Sequence, residues 1–253
     1  MRSLIFLILL CSALPLKAAD ITLTAEERVE YYQKEQKLVA KGRAVATKGK
    51  MRIKAETLVG FYNPKVKNKL SHIEAYPNVI INTPQAEAFG NQFNYDAHRG
   101  TAILTGTPAK IKTEDALITA KGSITYDEKN QKAVVKDNIE VTHSKGTKIF
   151  ADLMTAYFKK DSTGKLQLDH IDIEKNVKIT SKGTIVTAQR GAYTVKTGVI
   201  DLFEDVVITQ DGNILKGSHA ETNTKTGISK LVSSDGTSSG RVSGVFKEKS
   251  KKD

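Results

Sequence analysis

The sequence predicts an all-β protein built by repetition, a continuous stack of antiparallel strands. Three observations lead there. A short apolar pattern recurs about every 30 residues, the range in which repeats dictate the architecture. Every offset within the pattern is even, and side chains two apart share one face of a strand. Glycine-containing turn signals separate the segments.

The pattern is an apolar residue two before an Ala or Gly, followed by an apolar or aromatic pair four and six after it. Its clearest copies are Leu23-Ala25-Val29-Tyr31, Ile53-Ala55-Val59-Phe61 and Ile118-Ala120-Ile124-Tyr126. Ile149-Ala151-Tyr157 and Val186-Ala188-Ala192 are partial copies, and a copy at Ala88 is shifted by one residue before Phe93 and Tyr95. Leu215-Gly217 opens a degenerate one. Lys, Thr, Glu, Asp and Asn fill most intervening positions, as a solvated face requires. The spacing of three and four that marks a helix is missing from these copies.

A second unit lies between the copies. Asn78-Val79-Ile80-Ile81, Asn138-Ile139-Glu140-Val141, Asn176-Val177-Lys178-Ile179 and Asp205-Val206-Val207-Ile208 share one form: Asn or Asp, apolar, any residue, apolar. Their β-branched composition suits strands. Lys48-Gly49, Arg99-Gly100, Lys145-Gly146, Lys182-Gly183 and Asp211-Gly212 punctuate the run as turns. One repeat is therefore two strands and two turns, burying its apolar face only against its neighbours and an opposite wall. No internal boundary divides residues 20–246, which read as one domain. Asn63 to Asn68 forms a loop, and Ser233 to Gly240 a flexible connector before a last strand, Arg241 to Phe246. Lys247 to Asp253 is a charged tail, expected to be disordered.

The amino terminus has the parts of a secretory signal: Arg2, an apolar run from Leu4 to Leu10, then small residues up to Ala18 and Ala19. The run is short of the roughly 20 apolar residues of a membrane span. Cleavage near Ala18 or Ala19 follows, giving a signal peptide over residues 1–19. An uncleaved anchor stays open, because Lys17 sits unfavourably before the Ala19 site. Cys11 is the only cysteine, and the bulky Leu10 before it argues against lipidation. A mature chain without cysteine excludes disulfides, thiolate metal sites and cysteine nucleophiles together. It fits a periplasm better than a disulfide-stapled secreted domain. Cleavage takes Lys plus Arg from 39 to 37 against 28 Asp plus Glu, a mature net charge of about +9. Such a surface favours anionic partners. For an exported chain those are a membrane surface or an anionic glycolipid rather than nucleic acid, or the charge serves solubility alone.

Ala188-Gln189-Arg190-Gly191-Ala192-Tyr193, Lys196-Thr197-Gly198, Asp205-Val206-Val207-Ile208 and Leu215-Lys216-Gly217-Ser218-His219-Ala220-Glu221 resemble repeats of the OstA-like family of lipopolysaccharide-transport proteins. The resemblance covers nearly all of residues 20–246, is densest over 185–232 and thinnest around 60–90. It implies an open, twisted β-jellyroll, a trough whose apolar lining holds the acyl chains of lipopolysaccharide. It also implies head-to-tail stacking through terminal edge strands. The stack would join an inner-membrane lipopolysaccharide-extraction complex to an outer-membrane lipopolysaccharide-assembly protein. An inner-membrane-anchored sibling of the pathway shares the fold, as does the amino-terminal domain of the outer-membrane partner. For the latter's barrel this chain has no room.

The inward face then comprises Leu23, Val29, Tyr31, Ile53, Val59, Phe61, Val79, Ile81, Phe93, Tyr95, Ile118, Ile124 and Tyr126. Aromatics are 6% of the chain and tryptophan is absent, so small central residues leave room between walls. Each methylene moved out of water contributes about 0.8 kcal/mol, and ten contribute on the order of 8 kcal/mol, enough to hold a lipid without specific polar contacts. Lipid so held leaves only for another apolar surface. No phosphate-binding Gly-rich loop supplies the driving energy. Ile21, Leu23, Arg241, Val242 and Val245 are the expected edge contacts, by strand addition.

Other chemistry has thin support. His72, His98, His143, His170 and His219 show no metal-ligand spacing, so neither a metal nor another cofactor is expected. Asp169, Asp172 and Glu174 could in principle be catalytic, but Asp172 and Glu174 alternate with Ile171 and Ile173 as a solvated strand face does. No catalytic residue is expected. Lys48, Lys50, Arg52, Lys54, Lys65, Lys67 and Lys69 form basic clusters that either meet headgroup phosphates or are ordinary solvated surface. A structural β-stack without lipid is the alternative from another functional class.

Overall fold

The computed structural model describes residues 21–63, 70–223, 229–232 and 242–245. The expected leader and tail, Lys65, Lys67, Lys69 and Arg241 lie outside them. Among the described residues every regular element is a strand, and no helix is long and apolar enough to cross a membrane.

Strand pairing divides into two walls. The first wall begins at β1 (Ile21–Thr24) and takes β3 (Lys37–Lys48) and β4 (Met51–Tyr62). It continues through β6 (Val79–Asn82), β7 (Ala86–Gly90), β10 (Ala109–Thr113) and β11 (Ala116–Ala120). Then come β13 (Lys132–His143), β14 (Lys148–Lys160), β15 (Leu166–Ser181), β16 (Thr184–Thr194), β17 (Val199–Gln210) and β18 (Asn213–Asn223), and it ends at β20 (Ser243–Val245). The second wall begins at β2 (Arg28–Tyr32) and shares β3 and β4. It passes through β5 (Leu70–Tyr76), β8 (Gln92–Asp96), β9 (Thr101–Thr105) and β12 (Ser123–Asp127), shares β13 to β18, and ends at β19 (Ser229–Val232). Every neighbouring pair is antiparallel.

The shared strands turn from one wall into the other at a bulge. In β3, Gly42 and Arg43 stand opposite the single Glu56 of β4. Asp137 and Asn138 of β13 likewise face Asp152, Lys175 and Asn176 of β15 face Gln189, and Glu204 and Asp205 of β17 face Ser218. All eight residues of these pairs have positive φ. Two residues against one bend the strand and increase its twist. Asn and Asp tolerate the left-handed region better than most side chains do, which is why they open the second sequence unit.

The bulge also changes which residues face inward. A bulged strand spaces its inward residues four apart across the corner: Ala40 to Ala44, Val135 to Ile139, Ile173 to Val177 and Leu202 to Val206. Its unbulged partner spaces them three apart: Ala55 to Leu58, Ala151 to Met154, Ala188 to Gly191 and Gly217 to Ala220. An unbroken even alternation therefore fails in β4. Leu58 and Gly60 face inward, whereas Val59 pairs with Val39 and Glu74, and Phe61 with Lys37 and His72, on the outer face. This corrects the expected inward placement of Val59 and Phe61. The shift before Phe93 is the same effect.

Glycine is required where the walls come closest. A Cβ at Gly90 would lie 2.6 Å from both the Thr105 carbonyl oxygen and Leu104 Cδ1. Met154, 2% exposed, sits where simple alternation from Ile149 and Ala151 would place an outward residue. Met154→Ala should therefore lose about 2–5 kcal/mol. Thr155→Ala should stay within about 0.5 kcal/mol. Urea unfolding measures both, and equal losses would refute the inward positions given for β14.

Candidate functional site

The inner faces of the walls form one apolar surface. Cross-strand partners share a face of the sheet, so each register traces a row along it. In the first wall one row passes from Leu23, opposite Ala46, through Ile53, Ile81, Ile111 and Ile118 to Leu215. In the second, a row passes from Val29, opposite Ala40, through Leu58, Phe93, Leu104 and Met154 to Leu231. Nearer the corner, small and branched residues meet in register: Val79 with Gly90, Ile139 with Ala151, Val177 with Ala188, Val206 with Gly217. The small partner lets the walls converge there.

The opposite edge of each wall is a row of hairpin turns. Between the two rows of turns, among the described residues, no strand pairing closes the trough. The longest hairpin, β14 to β15, bends inward at its tip. Its register slips between Tyr157 and Phe158, and Phe158, Leu166 and Leu168 join the core. The Phe158 ring meets Tyr126 edge-on at 6.3 Å. Asp161 shapes the tip, accepting hydrogen bonds from the Thr163 hydroxyl at 2.6 Å, the Thr163 amide at 2.9 Å and the Lys165 amide at 3.0 Å. The Thr163 hydroxyl bond, more than the other contacts, holds the Asp161 carboxyl down to a pKa of about 2.

The sequence-derived lining residues fall into three groups. Ile53, Val79, Ile81, Phe93, Ile118, Ile124 and Tyr126 are buried in the core, and Leu23 and Tyr95 pack against it. Val29 and Tyr31 continue the inner rows at the amino-terminal end, where they are 48% and 56% exposed. Val59 and Phe61 lie on the other face of the sheet, where Val59 is nonetheless buried, 6% exposed. Sequence reasoning missed Leu58, Leu104, Ile111, Met154, Ile173 and Leu202; for Leu58 and Met154 the alternation carried the signal once the corner spacing of three is allowed. The first-wall row is buried from Ile53 to Val141 but half-buried at Ile149, Ile179, Val186 and Ile208. Along the first wall the inner face is thus closed in the amino-terminal half and more open beyond it, while the second-wall row stays buried at Met154, Ile173, Leu202 and Ala220.

Of the expected edge residues, Ile21 and Leu23 lie on β1, Val245 ends β20, and Val242 precedes it. Among the described residues, β1 and β2 each pair only with β3, and β19 and β20 only with β18. Both ends of both walls thus present strand edges. Val245 is 63% exposed.

The polar side chains cluster outside. His72, His170 and His219 recur on the outer face of the second wall in one arrangement. Each lies against an aromatic ring: Phe61 at 5.6 Å, Tyr157 at 4.3 Å and Phe203 at 4.7 Å between centroids. Each also meets a carboxylate: Glu74 at 3.2 Å, Asp169 at 2.7 Å and Asp201 at 3.0 Å. The Lys159 ammonium, 2.9 Å away, is the main cause of a lowered Asp169 pKa. Asp172 and Glu174 occupy outer positions opposite Thr155 and Leu153. Among the described residues no group of three or more His, Cys, Asp or Glu could hold a metal. Arg52 and Lys54 point outward, alternating with Ile53.

The family model for "LptA/(LptD N-terminal domain) LPS transport protein" matches this chain twice, over residues 23–131 and 117–228. Comparison with curated proteins finds no match. Among solved structures the chain is similar to LptH of Pseudomonas aeruginosa, described as the LptA homologous periplasmic component of the conserved lipopolysaccharide transport device. That likeness has 13% identity and a TM-score of 0.23, and covers 91% of this chain and 96% of the other.

The depressed Asp161 pKa has a definite sign. Its contribution to the hairpin tip is fully present above the ordinary carboxylate range and is lost as pH falls through about 2. The Asp161 carboxyl carbon, followed by NMR, should titrate near pH 2. A midpoint near pH 4 would mean that the turn does not hold the carboxylate.

Proposed function

The chain belongs to the LptA/(LptD N-terminal domain) LPS transport protein family, and on that premise we propose that it is an exported, periplasmic carrier bridging the two membranes. It binds lipopolysaccharide by its acyl chains in the trough and passes it along to the outer-membrane assembly protein. The inner-membrane extraction complex loads it. The observation that carries this reading is an apolar inner face running unbroken between two ends that, among the described residues, both present free strand edges.

Transfer without release into water needs an apolar path at every step, because each exposed methylene costs about 0.8 kcal/mol. A longitudinal trough supplies that path. Among the described residues each wall contains fourteen strands, so its first and last strands run in opposite directions. When β20 and β19 of one copy meet β1 and β2 of the next, both junctions are antiparallel and both walls continue without a change of pattern. With strands about 4.8 Å apart, each copy adds about 65 Å to such a bridge. The residues that contact lipid in this reading are Leu23, Val29, Tyr31, Ile53, Val79, Ile81, Phe93, Tyr95, Ile118, Ile124 and Tyr126. Ile149 and Ile179 extend them where the inner face is half-buried. The leader over residues 1–19 supplies export.

Photo-crosslinking in intact cells tests this reading. A photoreactive phenylalanine at Tyr95 or Ile179 should give lipopolysaccharide adducts, and one at Val245 a product of twice the protein's mass. The same probe at outward Phe61 or Lys54 should give no lipid adduct. Adducts at all four inner and outer sites, or at none in a folded, exported protein, would overturn the carrier assignment; absence of the Val245 product would overturn the head-to-tail arrangement.

A further inference from the structure

We propose that a second cavity, on the outer side of the first wall below the corner, binds a pyranose sugar of a glycan. The cavity has a volume of about 690 Å³ and is lined by Pro108, Lys121, Glu140, Phe150, Asp152 and Asn176 among others. That volume lies within the usual range for small-ligand sites, which combine apolar walls with a few convergent polar groups.

Its chemistry selects a neutral polyhydroxyl ligand. Phe150 stands on the outer face, between Glu140 and Lys178 in register. The electron-rich face of an aromatic ring attracts positive edges, and the C–H bonds on one side of a pyranose present such an edge. Around it the carboxylates are held as acceptors. Asp152 receives the Asn176 amide at 2.6 Å. Glu140 receives the Lys148 ammonium at 2.9 Å and the Thr142 hydroxyl at 3.3 Å. The lysine bond is the main cause of its lowered pKa. Asn138, Thr119 and Lys121 add donors. Lys148 pairs with Glu140, and with Lys121 it brings the formal charge level with that of Glu140 and Asp152. The cavity therefore carries no formal surplus charge, while it offers the neighbouring donors and acceptors that vicinal hydroxyls match.

The corner itself shows how the space arises. Arg43, second residue of its bulge pair, reaches Glu26 in an ion pair. Asn138 and Asn176 occupy the same place in their pairs. There a long side chain crosses the outer corner; here short amides leave it open. The cavity lies outside the trough, and its ligand is distinct from acyl chains held within. The sugar comes either from a free glycan strand or from the oligosaccharide part of a glycolipid.

NMR titration of the 15N-labelled exported chain tests this. Chitotetraose stands for a free glycan, and deacylated lipopolysaccharide oligosaccharide for the glycolipid source. The Asn138 and Asn176 side-chain amide signals should shift saturably with one probe or both, and the probe that acts identifies the source. Phe150→Ala should weaken binding about tenfold or more, as removal of a stacking ring does. Asp152→Asn should weaken it independently should the first variant fail to fold. Lipid adducts in the trough should be unchanged in both variants. No saturable shift with either probe, or undiminished binding by a folded Phe150→Ala protein, would overturn the proposal whatever the trough carries.

Discussion

Two left-handed residues set against one make each pair of long strands turn at the same place, and the rest of the structure depends on that turn. Without it, Gly42-Arg43, Asp137-Asn138, Lys175-Asn176 and Glu204-Asp205 would lie in flat ladders. One sheet face would then be left in water. With it, each strand supplies residues to both walls, and the apolar faces bury each other. The core is thus a property of the stack: a single repeat has no opposite wall of its own beyond one strand's width. The small residues beside the turn follow from the same constraint, since Ala151, Ala188 and Gly217 sit where the two walls are nearest.

The two faces of each wall divide the chemistry between them. Inside, aliphatic rows run the length of the trough with hardly a polar side chain. Outside, histidines lie against aromatic rings and carboxylates, and the short amides of Asn138 and Asn176 leave part of the corner open. A closed barrel has no strand edges to manage. This stack keeps edges at both ends, so its geometry is extensible, and the even number of strands in each wall lets a second copy join without reversing direction.

The fold was legible in the sequence because period-two alternation and glycine turns repeat often enough to exclude a helix. Seven of the thirteen expected lining residues lie in the main core cluster for that reason, and two more pack against it. Val59 and Phe61 were misplaced because alternation was carried through the corner of β4, where the unbulged strand drops one residue relative to its partner. The signal was present: Asn and Asp open each second unit, and Ala88 to Phe93 shows the shifted spacing. Reading it required knowing which strand of each pair is bulged, a property of two strands together. The outer cavity was not legible at all, since Phe150 and Asp152 take their meaning from Asn138 and Asn176 on neighbouring strands.

From Ile53 to Val141 the inner rows are closed against each other, so an acyl chain gains room there only when the walls part. The most direct measurement is the distance between spin labels on the two rows of turns. Glu114→Cys and Lys129→Cys place them at exposed positions on opposite rims, and the chain's one native cysteine, Cys11, lies in the expected leader. On addition of lipopolysaccharide, pulsed electron resonance should show the distance between the rims increasing. A distance unchanged at saturating lipid would contradict a trough that carries its cargo between the walls.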